Sequence, residues 1–388
     1  MSSRTNEILN TFEKICADPY QTAREAAASG TKTAGYMCTY MPEELLHAAG
    51  YLPVRILGWT EGTQRADGLL QSYACTLARG ALNAALSGQL DFLDAMIFTH
   101  TCDTIQNLTD LWQRNVPAMR HHVIATPVNT TGTPALTYFR AELERLQAFL
   151  EVASGPVSDG AIRDSIDLYQ RHREAMRRLY AVRRVNPGCV SGHAFLSVVL
   201  ASFLMRREDH LRLLEDLLPE MEAMPRRNVD AQPLVFVCGT VCQSADYMDA
   251  IEAAGCVVVD DDLCTGSRAF IVQAVAGPNP IEALARMYLE RVPCPAKHQP
   301  GYDMGADLLG QAQRAHADGV IFLFTKFCDP WAFDYPHLRD SLEKAQIPSL
   351  LIEIEQHVPP AGHFSTRVGA FAEMIASGKL AQKGTPKS

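Results

Sequence analysis

The phrase FTHTCD at residues 98–103 returns as FTKFCD at 324–329, with four of six positions identical. Each copy closes an apolar run, AMIFTH at 95–100 and GVIFLFTKF at 319–327, and short apolar runs bounded by polar residues read as buried strands. Each copy also sets an aspartate where a helical pattern begins. Asp103 precedes TIQNLTDLWQRN, and Asp329 precedes Pro330, which predicts Asp at the helix N-cap and Pro at the first helical position. The repeat therefore predicts two equivalent strand–helix junctions, each carrying a cysteine, Cys102 or Cys328.

The same reading extends outward from both copies. AGYMC (34–38), PEELLHAAG (42–50) and YLPVRIL (51–57) read as strand, short helix and strand, punctuated by Pro42 and Gly50. A helix follows around Tyr73–Ser87. Cys38, closing AGYMC ahead of MPEELL, occupies the same kind of place as Cys102 and Cys328. Alternation resumes with LVFVCG (234–239), the helix SADYMDAIEAAG (244–255), CVVVDD (256–261), a helix within 280–292, and finally SLLIEIE (349–355). Such alternation predicts parallel sheets covered on both faces. Between the two alternating regions, TYFRAELERLQAFLE, DSIDLYQRHREAMRRLYAVRR and the long segment from Ala194 to Glu222 read as amphipathic helices. The polar, proline-flanked PRRNVDAQP places a boundary near 225–232. The expected organisation is an N-terminal α/β domain over 1–135, a helical insertion or linker over 136–228, and a C-terminal α/β domain over 229–388, both α/β domains being Rossmann-like or flavodoxin-like.

Composition narrows the function classes. The chain has 388 residues, 47% of them hydrophobic, enough for a large core and more than one domain. Its 44 acidic and 35 basic residues give a formal net charge of −9, and no basic cluster offers a track for a polyanion, so no nucleic-acid partner is expected. The stretch Ala194–Met205 is far shorter than the roughly 20 residues a membrane span needs, and the N-terminal MSSRTNEILNTFEK is polar, so a cytoplasmic protein without a membrane partner is expected. The 11 cysteines then point to thiol or metal chemistry rather than disulfides.

A single cysteine at a strand end is more often a small buried hydrophobe than a ligand. Here two lie in a repeated phrase and a third in an equivalent position. In open α/β sheets sites form at the carboxyl ends of strands, and a helix N-terminus favours thiolate over thiol. Cys38, Cys102 and Cys328 can therefore face one point. Three thiolates without a neighbouring histidine leave a fourth position open and suit either an iron–sulfur cluster or zinc. CGTVCQ, with Cys238 and Cys242, reads as buried packing.

Together and in this order, GYMCTYMPEELLHAAGYLPVRILG, HTCDT, DDLCTGSRAF, FTKFCDPWAFDYPHL and QHVPPAGHFSTRVGAFAEM resemble the benzoyl-CoA reductase and 2-hydroxyacyl-CoA dehydratase family over about Ala34–Ala376. The resemblance implies a pair of α/β domains with a helical portion. It also implies a [4Fe-4S] cluster held by Cys38, Cys102 and Cys328, with an open or exogenous fourth ligand. Cys264, in DDLCTGSR, would line the site without ligating, and Cys16 and Cys294 would be silent. DDLCTGSR, FDYPHL and GHFSTRVGAF look nearer to the ATP-dependent benzoyl-CoA reductases than to the dehydratases, and the length suits the smaller, C-type catalytic subunit. The implied partners are a homologous catalytic subunit, ATPase subunits that raise the electron's energy, ferredoxin as upstream donor, and an aromatic acyl-CoA substrate. This chain has no GxxxxGK[ST] phosphate loop of its own.

Ring reduction needs proton donors within hydrogen-bond reach. His100, Glu43 and Tyr36 are the candidates carried forward, with Tyr40, Asp103, Lys326 and Tyr335 also flanking the ligands. The plain alternatives are helix-end roles for Glu43 and Asp103 and core packing for Tyr36 and Tyr335. His121 and His122 read as surface residues. Two other functions stay open: a 2-hydroxyacyl-CoA dehydratase subunit, and a non-catalytic scaffold or electron-relay subunit holding a relay cluster or zinc.

Overall fold

The computed structural model describes residues 2–59, 62–275, 277–355 and 362–383. The opening of the phrase QHVPPAGHFSTRVGAFAEM, 356–361, lies outside them. Two four-stranded sheets form. The first contains β1 (Lys32–Tyr36), β2 (Tyr51–Arg55), β3 (Ala95–His100) and β4 (Arg120–Ala125); the second contains β5 (Leu234–Gly239), β6 (Val257–Leu263), β7 (Gly319–Thr325) and β8 (Ser349–Ile354). Every pairing is parallel, in the orders β2-β1-β3-β4 and β6-β5-β7-β8. Both are the flavodoxin-like order, in which the chain reverses direction across the sheet beside its first strand.

This shared order explains the repeated phrase. β3 and β7 are the same strand of the same sheet, built twice. Tyr36 pairs with Ile97 and Gly239 with Leu323, so superposing the two phrases also superposes Cys38 on Val241. Of the four inner-strand ends, three carry cysteine and the fourth carries valine.

Several elements depart from the sequence reading. β4 is not among the expected strands: RHHVIA is a polar edge strand that buries only Ile124, so it lacks the apolar run that marks an inner strand. His121 and His122 are therefore half-buried residues of a strand rather than surface residues. The helix Met304–Arg314 is a further addition, although Asp303 caps it by accepting from the Ala306 N–H at 3.0 Å. Finally, the helices Asp103–Asn115 and Asp329–Lys344 start at the aspartates themselves, and the N-cap residues are Cys102 and Cys328.

Four helices, Gly132–Ser154, Asp159–Val185, Gly192–Ala201 and Arg207–Glu222, run between the sheets. Leu179, Phe195 and Leu214 share a core with Val235, Val237 and Ile321 of the second sheet. Phe139, Leu143 and Ile166 share another with Ala34, Ala95 and Ile97 of the first sheet and with Leu284 and Met287 of the helix Pro280–Leu289. The helices are thus a common wall for both sheets. Two polar contacts reinforce it: the Tyr180 hydroxyl donates to Asp261 at 3.0 Å, and Arg184 pairs with Asp260 at 2.8 Å.

One buried carboxylate joins all three parts. Glu44, 0% exposed, lies on the helix Glu43–Ala48 of the first half and forms an ion pair with Arg173 of the helical wall. It also accepts from the Tyr288 hydroxyl of the C-terminal half at 2.8 Å. Beside it Glu43 pairs with Arg207. Removing one partner of such a pair strands a buried charge, so Glu44→Ala is expected to cost about 3–5 kcal/mol of stability in chemical denaturation. The double variant E44L/R173M should recover most of that loss, because apolar replacement of both partners is close to neutral. Wild-type stability in E44A would show that this pair does not join the parts.

Candidate functional site

The carboxyl ends of β1, β3, β5 and β7 border a cavity of about 110 Å³. Cys38, Cys102 and Cys328 all line it. Cys38 lies two residues beyond β1 in a turn where its carbonyl accepts from the Met41 N–H at 3.1 Å. Cys102 and Cys328 occupy equivalent helix N-caps, and the Cys328 N–H donates to the Thr325 carbonyl at 3.0 Å. The chain turns sharply into Cys328: Phe327 has φ 65°, a left-handed conformation that costs a side-chain-bearing residue about 1–3 kcal/mol. At the fourth strand end Gly239 has φ 153°, and a Cβ there would meet the Leu323 carbonyl oxygen at 2.1 Å. Glycine lets β5 close on β7, where the Thr240 and Thr325 hydroxyls meet at 2.7 Å and hold Val241 against the cavity.

Three more cysteines line the same space: Cys75, Cys264 and Cys294. Cys264 lies where the sequence reading put it. Cys294, expected to be silent on substitution, also borders the cavity: the loop 293–297 folds against Tyr40, whose hydroxyl accepts from the Cys294 N–H at 3.3 Å. Cys75 has no role in the sequence reading, yet it is the N-cap of the helix Thr76–Leu86, the same signature as Cys102 and Cys328. Cys16 lies elsewhere, its thiol facing the Ser197 carbonyl at 3.4 Å. All 11 cysteines are free.

The rest of the wall is mostly apolar, with Leu77, Ile105, Val241 and Trp331 beside four threonines, and the one charged side chain among the lining residues is Arg55. Burial pushes the Cys102 thiol up to about 12 and the Cys328 thiol well above the ordinary value. Burial acts on Cys38 too, but the Tyr40 N–H, the Thr101 hydroxyl and the Arg55 charge bring its pKa below the ordinary thiol value. Metal loading here would displace protons from the thiols.

Soft thiolates of this kind are the ligands that iron–sulfur clusters and zinc use. Around zinc, with Zn–S near 2.3 Å, ligand sulfurs stand less than about 4 Å apart. Among the described residues no three of these sulfurs lie within 4.8 Å of one another. A cluster puts each thiolate on a different iron, which needs wider spacing. The three side chains that do meet that limit, His193, Asp246 and Asp249, lie on other helices and have exposed aspartates.

A larger cleft of about 840 Å³ meets the cavity at Thr101, Cys102, Ala296 and Pro330. Its volume is that of a small-molecule site. His100 and Asp103 line it, as do Lys297, Tyr302, Phe333 and His337. Tyr36 and Glu43 do not reach the cysteine cavity. They line a small neighbouring pocket with Tyr169, Arg173 and Arg207, and Arg55 and Thr39 border both spaces. Tyr40 packs behind the cavity, 4.8 Å from the Arg291 guanidinium. Lys326 pairs with Glu355 at 3.2 Å, and Tyr335 packs on Phe322 and Phe324. No helix among the described residues is long and apolar enough to cross a membrane.

Comparison with known proteins gives the family of the chain. The family described as 2-hydroxyglutaryl-CoA dehydratase, D-component, matches residues 38–375. The C-type subunit of benzoyl-CoA reductase from Thauera aromatica is 30% identical over 384 residues, covering 96% of this chain and 98% of the relative. The beta subunit of lactoyl-CoA dehydratase from Anaerotignum propionicum is 29% identical over 377 residues, covering 96% of this chain and 100% of the relative. The beta subunit of (R)-2-hydroxyglutaryl-CoA dehydratase from Acidaminococcus fermentans is 26% identical over 379 residues, covering 95% and 99%. The chain belongs to the 2-hydroxyglutaryl-CoA dehydratase D-component family, whose members include subunits of 2-hydroxyacyl-CoA dehydratases and of benzoyl-CoA reductase.

Proposed function

We propose that this chain is the iron–sulfur subunit of an ATP-dependent reductase of an aromatic acyl-CoA, benzoyl-CoA or a near relative, and that Cys38, Cys102 and Cys328 hold its [4Fe-4S] cluster. The observation that carries the reading is the meeting of these cysteines, from three equivalent strand ends in both halves, at one cavity joined to a ligand-sized cleft. The reductase branch is favoured by DDLCTGSR and FDYPHL. The cluster, when bound, supplies single low-potential electrons to the thioester-activated ring. ATP would be hydrolysed on partner subunits charged by ferredoxin, and a homologous catalytic subunit would complete the site. The protein is expected in the cytoplasm.

The chain's own residues would do the rest. Leu77, Ile105, Val241 and Trp331 keep water from the cysteine cavity. Lys297, its Nζ donating to the Thr126 carbonyl at 3.1 Å, holds a buried positive charge beside the cleft where an acyl thioester oxygen or a carrier phosphate would be bound. His100 is the nominated proton-handling group that lines the cleft, and its imidazole would hold the proton offered to substrate. Glu43 and Tyr36 would act indirectly, by fixing the turn that carries Cys38.

Cys38→Ser, Cys102→Ser and Cys328→Ser should each lose most of the iron after anaerobic reconstitution. Far-UV circular dichroism should stay near wild type, because the cores form without the metal. Cys16→Ser should be silent. A full iron complement in any of the three removes that residue from the ligand set.

The reaction is tested by assembling the chain with its homologous and ATPase subunits and following benzoyl-CoA. Two electrons and ATP consumed for every cyclic diene formed are expected. Many turnovers of a 2-hydroxyacyl-CoA after one activating electron would instead establish a dehydratase. The chain alone, loaded with iron and given a strong reductant, should form no diene in sustained turnover.

A further inference from the structure

Arg55 ends β2, opposite Tyr36 in the parallel pairing, and is 2% exposed. Its Nη1 donates to the Cys264 carbonyl at 3.1 Å, its guanidinium lies 4.8 Å from the Phe203 ring centre, and its Nε has no hydrogen-bond partner. No carboxylate pairs with it among the described residues. Four other buried arginines are neutralised: Arg173 by Glu44, Arg183 by Asp261, Arg207 by Glu43, and Arg268 by Asp262. An unpaired buried charge is costly, so an unpaired cation facing a cavity marks a place built for an anion. Behind the same cavity Arg291 is held by the carbonyls of Thr39 and Arg268, and Lys297 by that of Thr126, again without a carboxylate.

We propose that Arg55 is a positioning residue whose fixed charge raises the reduction potential of the group held by Cys38, Cys102 and Cys328. The inference rests on the cluster reading above. Three thiolates carry more negative charge than an oxidised cubane carries positive, so the assembly is anionic and becomes more so when it gains an electron. In a low-dielectric cavity a neighbouring positive charge stabilises the reduced form more than the oxidised one. Arg55 thereby eases the uptake of the incoming electron, and its contact with the Cys264 carbonyl ties that charge to the C-terminal half.

The test compares wild type, Arg55→Gln and Arg55→Lys, each reconstituted anaerobically with ferrous iron and sulfide. Iron and sulfide per chain are measured first, then the midpoint potential by redox titration followed by electron paramagnetic resonance. R55Q should keep its iron and shift the reduction equilibrium at least tenfold toward the oxidised form, a potential about 59 mV lower for a one-electron couple. R55K, which restores the charge, should stay within about threefold of wild type. An iron-loaded R55Q with the wild-type potential overturns the inference, as does an R55K shifted as far as R55Q. Should R55Q fail to load, Arg55→Met carries the test: a lowered potential supports the electrostatic role, and the wild-type potential overturns it. Wild-type chain that takes up no iron would overturn the cluster reading itself, an outcome distinct from either of these.

Discussion

The ion pair between Glu44 and Arg173, closed by the Tyr288 hydroxyl, is the contact on which the rest of the structure depends. The cysteine cavity is bordered by both sheets, so it exists only while their carboxyl edges are held face to face. Neither sheet can do that alone. The helical wall supplies Arg173, the first half supplies Glu44 six residues after Cys38, and the C-terminal half supplies Tyr288. Arg291 adds a second tie, one guanidinium nitrogen on the Thr39 carbonyl and another on that of Arg268. The turn carrying Cys38 is therefore gripped from outside its own sheet, and a change in how the halves meet would move one of the three cysteines relative to the other two.

The two sheets share a strand order, and that regularity gives the asymmetry of the site its meaning. Four inner-strand ends face the cavity in two equivalent pairs. Cys102 and Cys328 are matched across the repeat, whereas Cys38 is matched by Val241. The second half could have offered a fourth thiol at this position and offers an isopropyl group instead, held in place by Gly239 and the Thr240–Thr325 contact. The repeat is thus broken at a single residue at a regular place in the fold, and the apolar side chain there helps to keep water out of the cavity.

How much of this was legible follows from what each residue signals locally. Buried inner strands announce themselves as apolar runs, so β3, β5 and β7 could be read nearly to the residue, and with them the positions of Cys102 and Cys328. β4 could not, because an edge strand that buries one side chain has no such run. Cys75 carried the right signal, a cysteine just before a helix, but no repeated phrase drew attention to it. Arg55 carried one too: a charge inside the apolar run YLPVRIL. Its significance needed the fold, since only there does it become a buried cation without a carboxylate. Cys294 had no local signal, because its place depends on a loop folding against Tyr40. Tyr36 and Glu43 are near Cys38 in sequence but face the neighbouring pocket, since successive side chains of a strand and its following turn point in different directions.

The cleft beside the cysteine cavity has features that a second protein surface would complement. The cysteine cavity is small and lined largely by apolar side chains, but it meets an open cleft where Phe333 is 83% exposed and Val128 66% exposed. Large apolar side chains at the mouth of a cleft gain stability when they are covered. Asp103, Asp303, Asp329 and Asp334 line the same cleft, against the buried Lys297, and the adjoining cavity holds Arg55. An anionic acyl thioester would be drawn inward by the buried cations and repelled at the entrance unless another surface offset the aspartates. A second protein chain over the mouth would do both: dry the apolar rim and supply the missing positive charge.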